Sequence, residues 1–162
     1  MTSGLCVASP PSKPLLVYDG DCGFCRFWVC RWKQMTGEKV DYLPAQDARV
    51  PAEFPEIPRE RFALSVQLVE TDGRVFSGAE AVLRAMSYGS GRGWPLGAYQ
   101  SVPVFAKSAE WTYRLVADHR LFLSRLTRVL WGRHIEHSCV APPLACGPWG
   151  RSPSASDHGR KQ

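Results

Sequence analysis

Residues 15–25 read LLVYDGDCGFC, and a helical pattern of apolar residues continues from residue 26 to residue 35. The apolar run at its start predicts a strand buried on both faces, because it shows no polar alternation. The strand ends at an acidic turn that contains glycine, and two cysteines follow at the start of the predicted helix. A strand, a turn and a C-x-x-C pair at a helix start are together typical of a thiol–disulfide redox site.

The two cysteines, Cys22 and Cys25, are predicted to have different roles in disulfide exchange. The first N–H groups of a helix have no intrahelical partner and the helix dipole is positive there, so a sulfur at this end is stabilised as the thiolate. The thiolate is the species that attacks a disulfide. We therefore predict that Cys22 is the nucleophile and that Cys25, one turn further along, is the resolving thiol.

Two carboxylates, Asp19 and Asp21, precede the pair and oppose the helix dipole, because a negative charge near Cys22 raises the pKa of its thiol. Asp19 has two possible roles. It transfers the proton of Cys25 while a mixed disulfide resolves, or it ends the strand by bonding amides of the turn. For Asp21 the residues favour a structural or solubility role.

The motif Asp19-x-x-Cys22-x-x-Cys25 after an apolar strand resembles the signature of the DCC family of thiol–disulfide oxidoreductases. Two later segments resemble the same domain: VETDGRV at residues 69–75 and SGAEAVL at residues 77–83. The resemblance covers residues 14–133 and implies a thioredoxin-like fold with redox activity. Since Asp19 is part of the motif, the resemblance favours its role in proton transfer.

The predicted substrate groove departs from the usual thioredoxin-like pattern. Such proteins usually place a cis-proline just before the strand that faces the C-x-x-C pair, where it holds the substrate backbone. Here that strand is predicted to begin near Ala63-Leu64-Ser65, without a proline. We therefore expect weaker peptide binding or binding through the backbone of Ser65, and we predict Phe24 and Ser65 as groove residues.

The whole pattern predicts an α/β protein with a thioredoxin-like fold: a βαβ unit, a β-hairpin and a helix, then additional C-terminal helices. Aromatic residues at helical spacing predict that the first helix packs an aromatic face on the sheet. Asp72-Gly73 predicts the hairpin turn, and Ser77 with Glu80 predicts a capping box. The predicted strands span 15–18, 40–43, 63–69 and 74–76, and the predicted helices span 23–36, 78–88 and 104–131, with a break near 118–119 and short helical pieces within 45–61.

Composition predicts one domain with flexible ends. The chain has 162 residues, 44% of them hydrophobic and 22% charged, as in ordinary globular proteins. Residues 1–13 are predicted to be a flexible leader, 14–133 the domain, and 134–162 a disordered tail rich in Pro, Gly and Ser. The net charge of +5 is spread out without a compact basic run, which favours a solvated surface over a nucleic-acid site.

The expected location and partners follow from missing signals and from the cysteine pair. No apolar run approaches the roughly 18 residues that span a bilayer, and the N-terminus lacks the pattern of a secretory signal. We expect a cytoplasmic, reducing location, with an organelle as the alternative. The expected partners are a disulfide-containing protein or a small thiol substrate, together with an electron donor of unknown identity, and no cofactor, nucleic acid or membrane span is expected.

A zinc-binding module is one alternative function. A C-x-x-C pair is half of a structural zinc site, which needs four ligands. The other ligands would come from the tail, where the candidates are His134, His137, Cys139 and Cys146. Their spacing does not repeat the C-x-x-C pattern, and the surrounding prolines offer little to position them. The sequence therefore favours redox chemistry, with no metal bound at the pair.

A non-catalytic thioredoxin-like scaffold is the other alternative, with a partner bound near Trp28 or Trp94. The intact cysteine pair argues against it, because a scaffold does not need two adjacent thiols. Cys30 lies five residues past Cys25 and is too far round the helix for the same exchange pair. We interpret it as a small buried hydrophobic residue.

Overall fold

The computed structural model describes residues 5–91 and 93–131. Its strands are β1 (Leu15–Tyr18), β2 (Asp41–Pro44), β3 (Gln67–Val69) and β4 (Val75–Ser77), and they form one sheet. Its helices are α1 (Gly23–Thr36), α2 (Arg49–Glu53), α3 (Arg59–Leu64), α4 (Gly78–Ser87), α5 (Trp94–Ser101), α6 (Pro103–Asp118) and α7 (Arg120–Trp131), with a 3₁₀ turn at Gly37–Lys39.

The sheet has the strand order β2-β1-β3-β4. Strand β1 pairs in parallel with β2, to which α1 connects it, and it pairs antiparallel with β3. Strands β3 and β4 form the predicted hairpin, whose turn contains Gly73 at φ 84°. This mixed sheet with helices on both faces confirms the predicted α/β class and its thioredoxin-like fold.

Strand β1 is buried on both faces, as its apolar run predicts. Leu15 and Val17 point to one side of the sheet, into a cluster with residues of α2 and α3 such as Phe62. Leu16 points to the other side, into a cluster that includes Val29 of α1. Residues of successive positions on a strand face opposite ways, so one short run supplies both halves of the core.

The predicted strand over 63–69 is only half right. Leu64 ends helix α3, and strand β3 begins at Gln67. The Ser65 N–H closes the helix by donating to the Arg61 carbonyl at 3.0 Å. Phe62 is buried in the core from within α3, whereas Leu64 is 71% exposed, so the alternation of apolar residues here does not mark a sheet face.

The prediction that α1 packs an aromatic face on the sheet is only partly right, because Trp32 packs against the core cluster on this side of the sheet but Trp28 does not. Its buried residues are Val29 and Thr36, while Trp28 is 39% exposed. The rings of Phe24 and Phe27 each contact the Trp28 ring edge to face. The sheet side of α1 therefore carries Val29 and Trp32, whereas Phe24 and Phe27 contact Trp28.

The predicted capping box at the start of α4 is also wrong. Ser77 lies at the N-cap, but its side chain makes no capping hydrogen bond, and the Glu80 carboxylate pairs with Arg84 at 3.0 Å. The Glu80 N–H instead donates to the carboxylate of Glu110 on α6 at 3.3 Å. Tyr99 on α5 donates its hydroxyl to the same carboxylate at 2.9 Å, so residues distant in sequence cap this helix.

The C-terminal helices pack differently from the sequence pattern. The predicted break is confirmed at His119, between α6 and α7, and α5 is an additional helix. Trp111 and Leu115 are apolar and four residues apart on α6, as in a packing face, yet they are 67% and 45% exposed. Helix α6 packs on α4 and α5 and turns Tyr113 toward the core, whereas α7 packs on α1.

Part of the predicted leader is docked on the sheet edge rather than flexible. Cys6 forms an isolated bridge with Arg74. The Val7 N–H donates to the Gly73 carbonyl at 2.9 Å, and the Val75 N–H donates to the Leu5 carbonyl at 3.0 Å. Val7 is buried in the core cluster on the α2 and α3 side.

Among the described helices, none combines the length and the apolar character that crossing a membrane requires.

Candidate functional site

Cys22 lies at the N-cap of α1, directly after the turn that follows β1. Its backbone is extended there, and its carbonyl accepts the first helical hydrogen bond, from the Arg26 N–H at 3.0 Å. The Cys22 sulfur accepts a hydrogen bond from the Cys25 N–H at 3.3 Å. The sulfur therefore takes the place that an N-cap oxygen usually holds and satisfies one of the unpaired donors of the helix.

The pKa of Cys22 is lowered to about 6. The main cause is a hydrogen bond from the Cys25 thiol, which stabilises the Cys22 thiolate, and the N–H groups of Cys25 and Phe24 act in the same direction. Partial burial and the negative charge of Asp19 raise the pKa but do not prevail. Cys22 therefore favours the thiolate form at neutral pH.

The pKa of Cys25 is raised, for the complementary reason. Its thiol proton is held in the hydrogen bond to Cys22, and burial and the negative charges of Cys22 and Asp19 also disfavour a second thiolate. The positive charge of Arg120 acts in the opposite direction. The pair thus carries one negative charge in total, and this charge favours Cys22.

The two cysteine residues differ in their overall exposure. Cys22 is only 7% exposed, whereas Cys25 is half-buried. Helix α7 packs on α1, and the Ser124 hydroxyl accepts a hydrogen bond from the Gly23 N–H at 3.1 Å. A side chain at position 23 would approach that hydroxyl to 3.0 Å, so glycine permits this close approach beside Cys22.

A network of hydrogen bonds holds the turn between β1 and Cys22. One Asp19 oxygen accepts from the Asp21 N–H at 3.1 Å and from the Gln46 amide at 3.0 Å. Gln46 also donates to Asp21 at 3.1 Å and accepts from the Gly20 N–H at 3.0 Å. The other Asp19 oxygen lies 3.7 Å from the Arg120 guanidinium. Asp19 therefore bonds a turn amide, as its structural role predicts, and also faces a cation of α7.

A cavity of about 560 Å³ opens beside Cys25, between α1, α4 and α6. Its wall is almost entirely apolar. Asp19 and Arg120 lie at its polar end, and the predicted groove residues Phe24 and Ser65 both line it. The other lining residues used below are Trp28, Val82, Leu83, Phe105, Ala109 and Val116.

The backbone that faces this cavity is already hydrogen-bonded within the protein. The Val66 N–H donates to the Tyr113 hydroxyl at 3.0 Å, and the Val66 carbonyl accepts from the Gly78 N–H at 3.2 Å. The Ser65 N–H is used in the end of α3, and the Ser65 carbonyl and hydroxyl accept from the Gln67 amide at 3.2 and 2.9 Å. Burial is the main reason why the pKa of Tyr113 is raised to about 12, so its hydroxyl stays protonated.

The structure thus brings together Cys22, Cys25, Asp19, Phe24 and Ser65, the residues that the sequence singles out. Their main supports come from distant segments: Gln46, Tyr113 and Ser124 carry no local motif that marks them as site residues. Arg120 is the first residue of α7, directly after the break at His119. An alignment that showed which polar residues vary together would be the signal for the others.

The cysteine and histidine residues outside the pair bear on the zinc alternative. The tail ligands proposed for it, His134, His137, Cys139 and Cys146, lie outside the described residues. Within residues 5–91 and 93–131 no three His, Cys, Asp or Glu side chains are grouped as a metal site. Cys30 is half-buried and disulfide-bonded, so its interpretation as a simple buried hydrophobic residue is wrong.

We predict that Asp19→Asn moves the pH dependence of Cys22 alkylation to lower pH. In the wild-type protein the rate should rise as pH increases through about 6, because the thiolate is the form that reacts. Removing the Asp19 charge removes a cause that raises this pKa, so the midpoint should fall. Iodoacetamide labelling followed by peptide mass spectrometry gives the rate at each cysteine.

Asp21→Asn is the matched control for this prediction. Asp21 shares the Gln46 amide with Asp19, but its charge is not among the causes of the Cys22 pKa shift. The control should leave the midpoint unchanged. An equal shift in both variants would show that the turn network, and not the Asp19 charge, acts on Cys22.

Comparison with known proteins adds one match. Residues 16–126 match the family model described as "DCC1-like thiol-disulfide oxidoreductase". This range contains both cysteines, the whole sheet apart from the first residue of β1, and the helices up to the middle of α7. Neither the curated proteins nor the solved structures contain a significant match.

Proposed function

We propose that Cys22 and Cys25 are a redox pair that exchanges disulfides with a substrate, because the chain belongs to the DCC1-like thiol-disulfide oxidoreductase family. The geometry of the pair carries this proposal: the Cys22 sulfur lies at the N-cap of α1 and accepts a hydrogen bond from the Cys25 N–H at 3.3 Å, and the pKa values of the two sulfurs are shifted in opposite directions. One is a thiolate near neutral pH and the other keeps its proton, and a hydrogen bond joins them. This is the charge state that an attacking thiol and its resolving thiol need before the reaction begins.

In the proposed reaction the Cys22 thiolate attacks one sulfur of a substrate disulfide. A Cys22–substrate disulfide forms, the substrate S–S bond breaks, and the first substrate sulfur leaves as a thiolate. Cys25 then loses its proton and attacks the Cys22 sulfur, which expels the second substrate sulfur. The substrate gains two electrons, and the pair becomes a disulfide that a separate thiol donor must reduce before the next turnover.

Asp19 is the proposed acceptor of the Cys25 proton. Two observations support this role. Asp19 lines the cavity together with Cys25, and the negative charge of Asp19 raises the pKa of the Cys25 thiol. When Cys22 becomes part of a mixed disulfide it loses its charge, so the main cause that raises the Cys25 pKa disappears. Arg120 lowers the pKa of Cys25 and so favours the new Cys25 thiolate, and its guanidinium lies 3.7 Å from an Asp19 oxygen.

The experiment that tests the proposal is to trap the mixed disulfide with Cys25→Ser. This variant keeps the attacking sulfur but lacks the resolving one, so the adduct with a substrate disulfide should accumulate on Cys22. Intact-protein and peptide mass spectrometry after incubation with bis(2-hydroxyethyl) disulfide would locate it. The double variant Cys22→Ser/Cys25→Ser is the matched control and should carry no adduct at position 22.

Cys6 gives an internal reference in the same spectra, because it is a free, exposed thiol outside the site. The proposal predicts that the Cys22 adduct forms faster than the Cys6 adduct near pH 7. A Cys25→Ser protein modified at Cys6 alone would contradict the proposed attack by Cys22.

A further inference from the structure

We infer that the substrate of the redox pair is a small, uncharged disulfide with apolar groups, bound in the cavity beside Cys25. The inference rests on the proposed function and narrows its substrate class. Three observations lead to it: the access to Cys22, the backbone that faces the cavity, and the chemistry of the cavity wall.

Access to the attacking sulfur favours a small molecule. Cys22 is 7% exposed, and the Gly23–Ser124 hydrogen bond holds α7 close to it. A small disulfide needs less clearance beside this helix than a disulfide on the surface of a folded protein. Cys25, but not Cys22, lines the cavity, so a small disulfide bound there lies next to the thiol that is hydrogen-bonded to the Cys22 sulfur.

The backbone near the cavity does not favour an extended peptide. A peptide that adds to a strand gains affinity by exchanging N–H and C=O hydrogen bonds with it. Here the N–H groups of Ser65 and Val66 already donate to the Arg61 carbonyl and the Tyr113 hydroxyl. Binding a peptide in this way would break internal hydrogen bonds, so main-chain pairing offers it little net gain.

The cavity itself fits an apolar ligand. Its volume of about 560 Å³ lies within the range of small-molecule sites. Aromatic and aliphatic side chains such as Phe24, Phe105 and Val116 line it, and it meets the surface near Trp28 and Leu64, which are 39% and 71% exposed. Its charged groups, Asp19 and Arg120, already face each other at 3.7 Å, so an anionic substrate would lose water without gaining a free cation there.

The proposed oxidation of the cysteine pair needs no oxidant other than the substrate disulfide. The Cys22 sulfur bonds to one sulfur of R–S–S–R, the R–S–S–R bond breaks, and one RS⁻ leaves. The Cys25 sulfur bonds to Cys22 and releases the second RS⁻. One RS⁻ takes up the proton that Cys25 loses, and the other takes up a proton from the solvent, to which Cys22 released its own proton when it became a thiolate. The disulfide is reduced to two RSH, and the cysteine pair is oxidised.

Two isosteric probes test the substrate class: di-n-propyl disulfide and bis(2-hydroxyethyl) disulfide. They have the same number of heavy atoms and differ only by a terminal methyl or hydroxyl group. The reduced wild-type protein is mixed with each probe, and loss of the Cys22 and Cys25 thiols is followed by mass spectrometry. The rate of the protein with each probe is divided by the rate at which free dithiothreitol reduces the same probe. This ratio corrects for differences in the intrinsic reactivity of the two probes.

The propyl probe should then react about tenfold faster, because burying a methyl group favours it and burying a hydroxyl group without a partner disfavours its isostere. A ratio near one would overturn the inference. A normalised rate for the disulfides of insulin above that for the propyl probe would also overturn it, in favour of a polypeptide substrate.

A cavity-filling variant locates the selectivity. Ala109 lies on α6 and lines the cavity, so Ala109→Phe should bring the ratio close to one by slowing the reaction with the propyl probe more than the reaction with the hydroxyethyl probe. Ala52→Phe, at an exposed position of α2, is the matched control and should keep the full ratio. Selectivity retained in Ala109→Phe would overturn the inference even if this variant and the wild type are equally stable.

The wild-type ratio decides the question without any variant, should Ala109→Phe not fold. A failure of the inferred substrate class and a failure of the proposed function give different results. If the wild-type pair reacts with both probes but shows no preference, the substrate class is wrong and the redox pair stands. If Cys22 and Cys25 remain reduced with both probes while Cys6 reacts, the proposed function itself is wrong.

Discussion

Cys22→Ser should lower the multiple-turnover rate of disulfide reduction by at least about 100-fold. The loss does not come mainly from the attack, because a thiol of low pKa gains thiolate fraction but loses part of its intrinsic nucleophilicity. It comes from the second half of the reaction: with one sulfur the pair cannot close a disulfide. Attack within the site has an effective concentration far above that of any thiol in solution.

Single-turnover and multiple-turnover rates separate these two contributions. The first modification of the remaining Cys25 by a small disulfide should slow less than turnover does, since removal of the Cys22 charge also removes a cause that raises the Cys25 pKa. A reductant-coupled assay measures turnover, and mass spectrometry measures the first adduct. Turnover by Cys22→Ser within a few-fold of the wild-type rate would contradict the proposed pair.

Cys6→Ser is the matched control for this substitution. It makes the same chemical change at a free, exposed cysteine that the sheet edge holds away from the pair. Turnover should be unchanged in this variant. A comparable loss in both would mean that the measured activity does not depend on the C-x-x-C site.

Leu16→Ala should destabilise the protein by about 3 kcal/mol, the middle of the range for a buried leucine. Leu16 is fully buried in the strand that lies between β2 and β3. It packs with Val29 of α1 and Leu68 of β3. Truncation therefore removes contacts that join α1 to the sheet, and the remaining cavity cannot close without moving several elements.

Urea unfolding followed by circular dichroism measures this loss as a lower midpoint at unchanged slope. Leu64→Ala is the matched control, since Leu64 is 71% exposed. It should change the free energy of unfolding by no more than about 0.5 kcal/mol. Equal losses in the two variants would contradict the assignment of Leu16 to the central core.

Local sequence signals are sufficient to predict the strand, turn and helix that carry the C-x-x-C pair, and the hairpin that follows later in the chain. The bounds of β1 and α1 follow from an apolar run, a glycine-containing turn and a helical repeat, all of which act between residues close in sequence. The Asp72-Gly73 turn predicts the hairpin for the same reason. The strand before it was placed too early, because alternation over 63–69 does not distinguish a strand from the last turn of α3.

The same local signals misplaced contacts that depend on other elements. Ser77 and Glu80 have the sequence of a capping box, yet the Glu110 carboxylate on α6 meets the Glu80 N–H instead. The aromatic residues of α1 have the spacing of a face packed on the sheet, yet Trp28 lies at the rim of the cavity. In each case a partner distant in sequence competes with the local one, and the pattern contains no information about its approach.

The sequence by itself determined the C-x-x-C pair, its position at a helix start and the parallel βαβ unit that carries it. These features depend on backbone geometry and on hydrogen bonds over a few residues. Only the tertiary structure decided that Cys22 is covered beside α7, that Tyr113 occupies the Val66 N–H, and that an apolar cavity lies next to Cys25. Those features arise where α6 and α7 return to the sheet and α1, and the packing of elements far apart in the chain determines which groups meet there.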